Sequence, residues 1–399
     1  MKTREVKLGE VANVKGGKRI PKGIGLINIP NGHPYIRVRD LNNKRLLELD
    51  NSYEYVDNET QKVISKYTVK TGDVVLSIVG TIGLVAIVGR TLDGANLTEN
   101  CAKLSSFHGV NRDFLYYYLR SDCGQQEIRC GTVGAVQAKL PIKNIQNIAI
   151  NLPDYTTQER IASLLLSIDR KIELNQKIND NLEQQAVTYF QELYINNANP
   201  MWQIGTISDL GTVVGGSTPS KNKPEYYTNN GIAWITPKDL SINKSKFISH
   251  GENDITDLGL KNSSATVMPK GTVLFSSRAP IGYIAIASNE VTTNQGFKSV
   301  VPYLEIGTAF VYFFLKHSLP VIESAASGST FKEISGSAMK NIPAIIPDRS
   351  TLDQFNSFCA PIFAQQKILE DQNYSLAMLR DSLLPKLMSG AIDIASIQL

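Results

Sequence analysis

The sequence predicts an α+β protein in which two similar mixed domains alternate along the chain with two long helices. Three observations lead to this prediction. The chain has 399 residues, more than one hydrophobic core usually supports. It matches itself at a shift of 199 residues, and each matching half ends in a segment with a heptad pattern. The domains are predicted at residues 1–153 and 201–347, and the helical segments at 154–200 and 348–399.

The internal repeat keeps one register over separated stretches of the chain. At a shift of 199 residues, 14–17 lies over 213–216, 35–41 over 234–240, 72–77 over 271–276, and 82–87 over 281–286. After small deletions the match resumes, with 114–120 over 310–316 and 153–154 over 347–348. A register kept this long indicates a duplication, so both halves should share one fold.

Each copy carries the same local signals. Short apolar runs at 74–79 and 273–277 follow turn residues, and runs at 84–88 and 283–287 come next. They predict paired strands in a twisted, largely antiparallel sheet. The aromatic stretches 114–120 and 310–316 predict short buried helices. Each Pro-Asp pair predicts a helix start, because the Asp or the Thr that follows can cap exposed N–H groups.

Both helical segments carry an apolar seam at alternating steps of four and three residues. Because such a seam buries little by itself, the two helices are predicted to pair as an antiparallel coiled coil, with asparagines fixing the register. The alternative is that each helix packs on its own domain. The seam residues are Ile161, Leu165, Ile168, Ile172, Asn175, Asn179 and Leu182 in the first helix, and Phe355, Ile362, Leu369, Asn373 and Leu376 in the second.

Several classes of protein are disfavoured. The four cysteines show no ligand-like spacing, so neither zinc nor disulfides are expected, and a reducing cytoplasm is the predicted compartment. No stretch approaches the 18 or so apolar residues that a membrane span needs. Nucleotide-binding and methyltransferase motifs are missing, and the four histidines share no position between copies. A non-catalytic protein is therefore predicted.

Four motifs, taken together with the duplication, resemble the specificity subunit of type I restriction-modification enzymes over essentially the whole chain. They are GGSTPS at 215–220, WITPKDL at 234–240, TNQG at 293–296 and LLPKLMSG at 383–390. The resemblance implies two target-recognition domains that each recognise one half of a bipartite, asymmetric DNA sequence, with the coiled coil setting the spacer. The first copy departs from the motifs, with GGKRIP at 16–21 and residues 99–102 where the second copy has 294–297.

The same resemblance implies a set of partners. They are double-stranded DNA, two methyltransferase (modification) subunits docked along the helices, and an endonuclease and translocase (restriction) subunit. S-adenosylmethionine, ATP and magnesium would be bound by these partners, and this chain would bind no cofactor. Two alternatives stay open: a duplicated protein-interaction scaffold with incidental DNA binding, and a self-contained modifying enzyme with an unrecognised site.

Candidate DNA-binding residues follow from the chemistry of the duplex, because phosphates attract cations and base edges are recognised by polar side chains. Residues 1–45 hold eleven Lys or Arg against three acids. Arg37 and Arg39 alternate along a predicted strand, and Lys238 takes the Arg39 position in the second copy. A solvated hairpin is the alternative for the basic loop at 15–22. The candidates are Lys15, Lys18, Arg19, Lys22, Arg37, Arg39, Ser217, Thr218, Ser220, Lys221, Lys238 and Arg278.

Overall fold

A computed structural model describes residues 2–41, 44–278, 280–328 and 332–394 of the chain. Residues 395–399 of the predicted second helical segment therefore lie outside the described residues. The chain divides into two compact units, one formed by Met1–Lys171 with Ser375–Leu399 and the other by Ile172–Tyr374. Both boundaries fall inside the long helices, so each unit contains one mixed domain together with part of each helix.

The first domain is built from ten strands and five short helices among its described residues. In chain order they are β1 (Thr3–Lys7), α1 (Leu8–Val11), β2 (Asn13–Gly16), β3 (Pro34–Ile36), β4 (Leu46–Leu47), β5 (Glu54–Tyr55), α2 (Asn58–Ile64), β6 (Val74–Ser77), β7 (Val85–Val88), β8 (Asn96–Leu97), β9 (Cys101–Ser105), α3 (Arg112–Arg120), α4 (Asp122–Gly131), α5 (Ile142–Gln146) and β10 (Ala149–Pro153). The long helix α6 (Tyr155–Phe190) follows, with a π-helical turn at Gln191–Asn196.

The second domain follows the same plan. Its elements are β11 (Gln203–Thr206), α7 (Ile207–Leu210), β12 (Gly211–Gly215), β13 (Tyr227–Thr228), β14 (Ile232–Ile235), α8 (Pro237–Ile242), β15 (Phe247–Ile248), β16 (Asn253–Ile255), α9 (Asp257–Lys261), β17 (Val273–Ser277), β18 (Ile281–Ala287), β19 (Thr292–Thr293), β20 (Lys298–Pro302), α10 (Thr308–His317), α11 (Leu319–Ser324), α12 (Gly336–Lys340) and β21 (Pro343–Ile346). The second long helix is α13 (Arg349–Met388).

Both domains contain a five-stranded sheet with the same strand order. The order is β2-β9-β6-β7-β4 in the first domain and β12-β20-β17-β18-β15 in the second. In each sheet the last pair, β4 with β7 or β15 with β18, is parallel and the other pairs are antiparallel. The predicted pair of similar α+β domains with largely antiparallel sheets is confirmed.

The central strand of each sheet is buried on both faces. In β6, Val74 and Leu76 belong to the core that contains helix α3, whereas Val75 belongs to a second core around β3 and β8. In β17, Val273 and Phe275 pack on one side and Leu274 on the other. A strand covered on both faces has no polar side, which explains the unbroken apolar runs in the sequence.

The prediction that Arg37 and Arg39 alternate along a strand is wrong. Strand β3 ends at Ile36, and Val38–Leu41 forms a 3-10 helix because the Asp40 carboxylate accepts the backbone N–H of Arg37 at 2.7 Å. The second copy repeats this turn, since Asp239 accepts the N–H of Thr236 at 2.7 Å. Lys238 therefore lies in the first turn of α8 and not on a strand.

The long helices begin where the Pro-Asp pairs predicted. Asp154 accepts the backbone N–H of Thr157, and Asp348 accepts that of Thr351, at 3.0 Å in each case. Such bonds satisfy N–H groups that the first turn of a helix leaves without partners.

Within the second unit the two long helices run antiparallel. Asn175 donates to Asn373 Oδ1 at 2.9 Å, the carbonyl of Asn179 accepts from Gln366 at 3.1 Å, and further along, the ring of Tyr189 lies 4.3 Å from that of Phe358. Residue numbers rise along α6 as they fall along α13. The twelve seam residues proposed from the heptad pattern are all buried or half-buried in the structure.

The ends of the seam also pack on the globular domains. In the first unit, Ile161 and Leu165 share a core with Phe114 of α3 and Leu387 of α13. In the second unit, Phe355 and Ile362 share a core with Phe310 of α10. Helix pairing and packing on a domain therefore occur together within each unit.

A buried lysine fastens the second domain to both long helices. Lys246, just before β15, forms an ion pair with Glu183 of α6 and donates to Gln366 Oε1 of α13 at 2.6 Å. The Glu370 carboxylate accepts the backbone N–H of Lys246 at 2.8 Å. Burial lowers the pKa of Lys246, whereas Lys246 and Lys316 lower the pKa of Glu183 against the effect of its burial. This network fixes the orientation of the domain on the helices of its own unit.

Asn175 and Asn373 form a polar layer between helices α6 and α13. Replacing Asn175 by Ala should lower the free energy of unfolding by about 1–3 kcal/mol, because the Asn373 carbonyl loses its donor in a partly buried place. Urea denaturation followed by circular dichroism measures this change. Gln176→Ala, at the exposed neighbouring position, is the control and should stay within about 0.5 kcal/mol of the wild type. Equal stability of the two variants would contradict the role given to the layer.

Candidate nucleic-acid interface

Each domain presents a loop after its second strand, held against the chain just beyond β8 or β19. We call residues 16–22 the first loop and residues 215–221 the second loop. In the first loop, Lys18 N–H donates to the carbonyl of Leu97 at 2.8 Å, and in the second, Ser217 N–H donates to that of Thr293 at 2.9 Å. The two loops are therefore attached to their domains by the same backbone bond.

A glycine is required beside each of these bonds. A Cβ atom on Gly17 would lie 2.1 Å from the carbonyl oxygen of Thr98, and one on Gly216 would lie 2.0 Å from that of Asn294. Neither distance is compatible with a side chain, because both neighbours are backbone oxygens, which cannot move aside as the end of a flexible side chain can. The Gly-Gly motif shared by both copies thus marks a close approach of two backbones.

An aromatic side chain completes the anchor. Tyr35 donates its hydroxyl to the carbonyl of Lys18 at 2.8 Å, and Trp234 donates its indole N–H to the carbonyl of Ser217 at 3.0 Å. Tyr35 lies on β3, and Trp234 lies on the equivalent strand β14. The anchor thus uses groups that agree between the copies and leaves the other side chains of the loops free to differ.

The residues that face the loops are shifted by one from the alignment predicted from the sequence. Ile78 N–H donates to the carbonyl of Asn100, and the equivalent Ser277 N–H donates to that of Gly296, both at 2.8 Å. Asn100 therefore corresponds to Gly296, and Glu99 corresponds to Gln295, whereas the sequence comparison paired Glu99 with Asn294. The hydrogen bonds decide the register here because the copies share no residue in this segment.

Each loop is joined to the facing segment by one side-chain bond, and its chemistry differs between the domains. Arg19 forms an ion pair through Nε with the Glu99 carboxylate. At the equivalent place, the Thr218 hydroxyl donates to Gln295 Oε1. The first domain therefore has a charged pair where the second has a neutral one.

Both members of the charged pair stay ionised near neutral pH. The hydrogen bond to Glu99 raises the pKa of Arg19. Burial opposes ionisation of Glu99, but the hydrogen bond from Arg19 and those from neighbouring groups outweigh it and lower the pKa of that carboxyl. The pair persists until the pH falls through the lowered pKa of Glu99.

Four of the other predicted cations are also paired with acids. Arg37 and Arg39 both contact the Glu54 carboxylate. Lys238 lies 2.6 Å from a carboxylate oxygen of Glu252. Arg278 lies 3.4 Å from a carboxylate oxygen of Glu333. Glu54 and Glu252 therefore reduce the net positive charge that Arg37, Arg39 and Lys238 contribute.

The remaining predicted cations, three lysines on the loops and Lys15 in β2, have no such partners among the described residues. Among the ion pairs found in the described ranges, Lys15, Lys18, Lys22 and Lys221 have no acidic partner, and all four are exposed. The Lys18 ammonium lies 5.5 Å from the centre of the Tyr67 ring. These lysines are the cations that can exchange counterions for phosphate groups at least electrostatic cost.

In the second domain a groove brings several predicted residues together. Ser220 is exposed but does not line the groove, and Ser217 contributes its backbone to the anchor. Arg278 lies elsewhere, beside the bridge to Glu333. The groove is lined by Thr218, Lys221, Trp234, Thr236, Pro237, Lys238, Glu252, Asn253, Asn294 and Gln295.

Two residues of this site, Glu99 and Gln295, are not among the candidates predicted from the sequence. Gln295 lies within the TNQG motif, but the alignment of the copies was one residue out of register here and hid its equivalence to Glu99. The signal available in the sequence was that Glu99 and Gln295 differ in charge within segments that follow corresponding predicted elements.

Within residues 2–41, 44–278, 280–328 and 332–394, no cluster of His, Cys, Asp and Glu side chains could hold a metal ion. In the same ranges no helix combines the length and apolar character of a membrane span.

Because the two backbones approach closely at Gly216, we expect a side chain at this position to destabilise the second unit. Gly216→Ala should lower the free energy of unfolding of the second unit by about 1–3 kcal/mol or more, because the new methyl group overlaps the Asn294 carbonyl. Gly215→Ala is the matched control, since no atom lies within 4 Å of its added Cβ. Thermal unfolding of both variants tests this, and equal loss of stability would show that the contact is not limiting.

Comparison with known proteins identifies the family. The family model described as the type I restriction modification DNA specificity domain matches residues 2–184 and 199–371, once for each copy. The specificity subunit of the type I restriction enzyme MjaIX from Methanocaldococcus jannaschii is 41% identical over 162 residues, which is 40% of this chain and 37% of that subunit. The chain thus spans well under half of that relative in this match.

Two further comparisons cover more of the chain. The HindI specificity subunit of Haemophilus influenzae is 23% identical over 341 residues, covering 67% of this chain and 73% of that one. The crystal structure of the S subunit from M. genitalium shares the fold, with a TM-score of 0.57 at 17% identity over 97% of this chain and 96% of that one. With the family's domain matched in both halves of a duplicated fold, this chain belongs to the type I restriction-modification DNA specificity family.

Proposed function

We propose that this chain is the DNA sequence-recognition subunit of a type I restriction-modification complex. Each domain would recognise one half of a bipartite, asymmetric target. The observation that carries the proposal is the pair of loops: one backbone anchor holds both, yet the side chains that bridge each loop to its facing segment differ. Two recognition surfaces of the same shape and different chemistry suit a target with two different halves.

The division of charges supports binding to DNA. Exposed lysines without acidic partners lie on both loops, where phosphates could neutralise them. Paired cations and polar groups lie beside them, where base edges could be contacted. Phosphate contacts would position each domain, and the side chains of the groove would supply the sequence preference.

In this proposal the chain itself is not catalytic. Methyl transfer would belong to two modification subunits docked along α6 and α13, and cleavage and translocation to a restriction subunit. S-adenosylmethionine, ATP and magnesium would be bound by those subunits. This assignment is supported by family membership and by the names of the relatives.

Selection of duplexes from a random pool tests the proposal directly. The purified chain, bound to a modification subunit from the same host, should enrich one bipartite word with a fixed number of unspecified base pairs between its halves. Enrichment of no word would favour the protein-interaction scaffold instead. Methyl transfer to DNA by the chain alone would contradict the non-catalytic assignment.

We also propose that the long helices set the spacer between the two halves of the word. Helix α6 has 36 residues and α13 has 40, so they span about 54 and 60 Å at 1.5 Å per residue. One heptad adds about 10.5 Å, which corresponds to about three base pairs at 3.4 Å each.

A matched heptad inserted in both helices should therefore lengthen the selected spacer by about three base pairs. A heptad in α6 alone should abolish assembly or DNA binding, because it moves Asn175 away from Asn373 and breaks the polar layer. The same selection from a random pool measures the spacer. An unchanged spacer in the doubly extended protein would refute the role of the helices.

A further inference from the structure

The Arg19–Glu99 pair and the Thr218–Gln295 pair, which we call the bridging pairs, occupy equivalent places in the two domains. We propose that a side chain at this place contacts the edge of a DNA base in each half of the target. Arg19 would recognise a guanine in one half of the target, and Gln295 an adenine in the other half. This inference rests on the proposed DNA recognition and deepens it by naming two specificity-determining residues and their bases.

The ion pair with Glu99 holds Arg19 through Nε and leaves its two terminal nitrogens available to a DNA base. Its side chain is 77% exposed, and its Nε–H donates to Glu99. Glu99 is itself fixed by the Thr98 hydroxyl, which donates to its other carboxylate oxygen at 3.0 Å. Among the hydrogen bonds of the described residues, the two terminal nitrogens of Arg19 have no protein partner. Two parallel N–H donors on a fixed guanidinium match the O6 and N7 acceptors of guanine.

Gln295 offers a different pattern at the same place. It is exposed, and the Thr218 hydroxyl donates to its Oε1, which orients the amide. The amide nitrogen has no partner among the hydrogen bonds of the described residues, and Oε1 keeps a second lone pair. One donor beside one acceptor matches N7 and the N6 amino group of adenine.

Anchoring of the loops does not require these side-chain bonds. The backbone bonds to Leu97 and Thr293 and the bonds from Tyr35 and Trp234 already hold the loops. Those anchors agree between the copies, whereas the bridging pairs differ in charge and in hydrogen-bonding pattern. The two domains therefore differ in exposed polar atoms while their loops keep the same backbone anchors. Two domains that recognise different DNA sequences require a difference of this kind.

The test is selection from a random duplex pool with the wild-type complex and three variants. Arg19→Ala should flatten a guanine preference at one position of one half-site and weaken binding to the wild-type word about 5- to 150-fold, the range for loss of a bidentate base contact. Gln295→Ala should flatten an adenine preference in the other half-site only. The double variant Arg19→Thr with Glu99→Gln should convert the guanine preference to adenine.

Arg129→Ala is the matched control, because it removes one exposed arginine of α4 whose Nε–H also donates to a side-chain oxygen, that of Gln126, and it should leave every base preference unchanged. Thermal unfolding verifies that each variant is folded. Uniform weakening at all positions by Arg19→Ala, or an unchanged base preference, would overturn the inference while the wild-type word still supports DNA recognition. A wild-type complex that selects no word would refute the proposed function itself, and the inference with it.

Discussion

The close approach of two backbones beneath each loop is the constraint on which the interface depends. At Gly17 and Gly216 the loop chain lies so near the carbonyl oxygens of Thr98 and Asn294 that no Cβ can be accommodated. The approach aligns the loop N–H groups with the carbonyls that bind them and brings the bridging side chains within hydrogen-bonding reach. Because the contact uses backbone atoms, the loop side chains can change without loss of the frame.

Basic residues near the loops can attract phosphates or can hold a fixed orientation for contact with bases. The ion pairs of the structure show which cations suit each role, whereas the sequence alone groups them together. A basic residue next to a carboxylate, as Arg39 is next to Glu54, gives up part of its attraction for phosphate and gains a fixed geometry. An exposed lysine without an acidic partner keeps its full positive charge, but its flexible side chain is not held in one orientation. Affinity for the duplex and discrimination among bases can therefore reside in different side chains of one domain.

The long helices are held by apolar packing and by a few polar contacts. These polar contacts can form only in one alignment of the helices with each other and with the second domain. Ile161, Leu165 and Phe355 bury area against the domains, which stabilises the units without fixing a register. Asn175 can donate to Asn373, and Lys246 can pair with Glu183, only when the helices and the second domain meet in one way. Polar groups in such places cost stability and confer specificity of alignment.

The sequence by itself determined the duplication, the two α+β domains, the helix starts at Asp154 and Asp348 and the alternating seam, because these follow from periodicity and local hydrogen bonding over a few residues. It also determined which loops carry positive charge. Tertiary structure alone decided that Glu99 corresponds to Gln295 and which cations are paired. Those features depend on contacts between residues as far apart as Arg19 and Glu99, and periodicity holds no information about such distant partners.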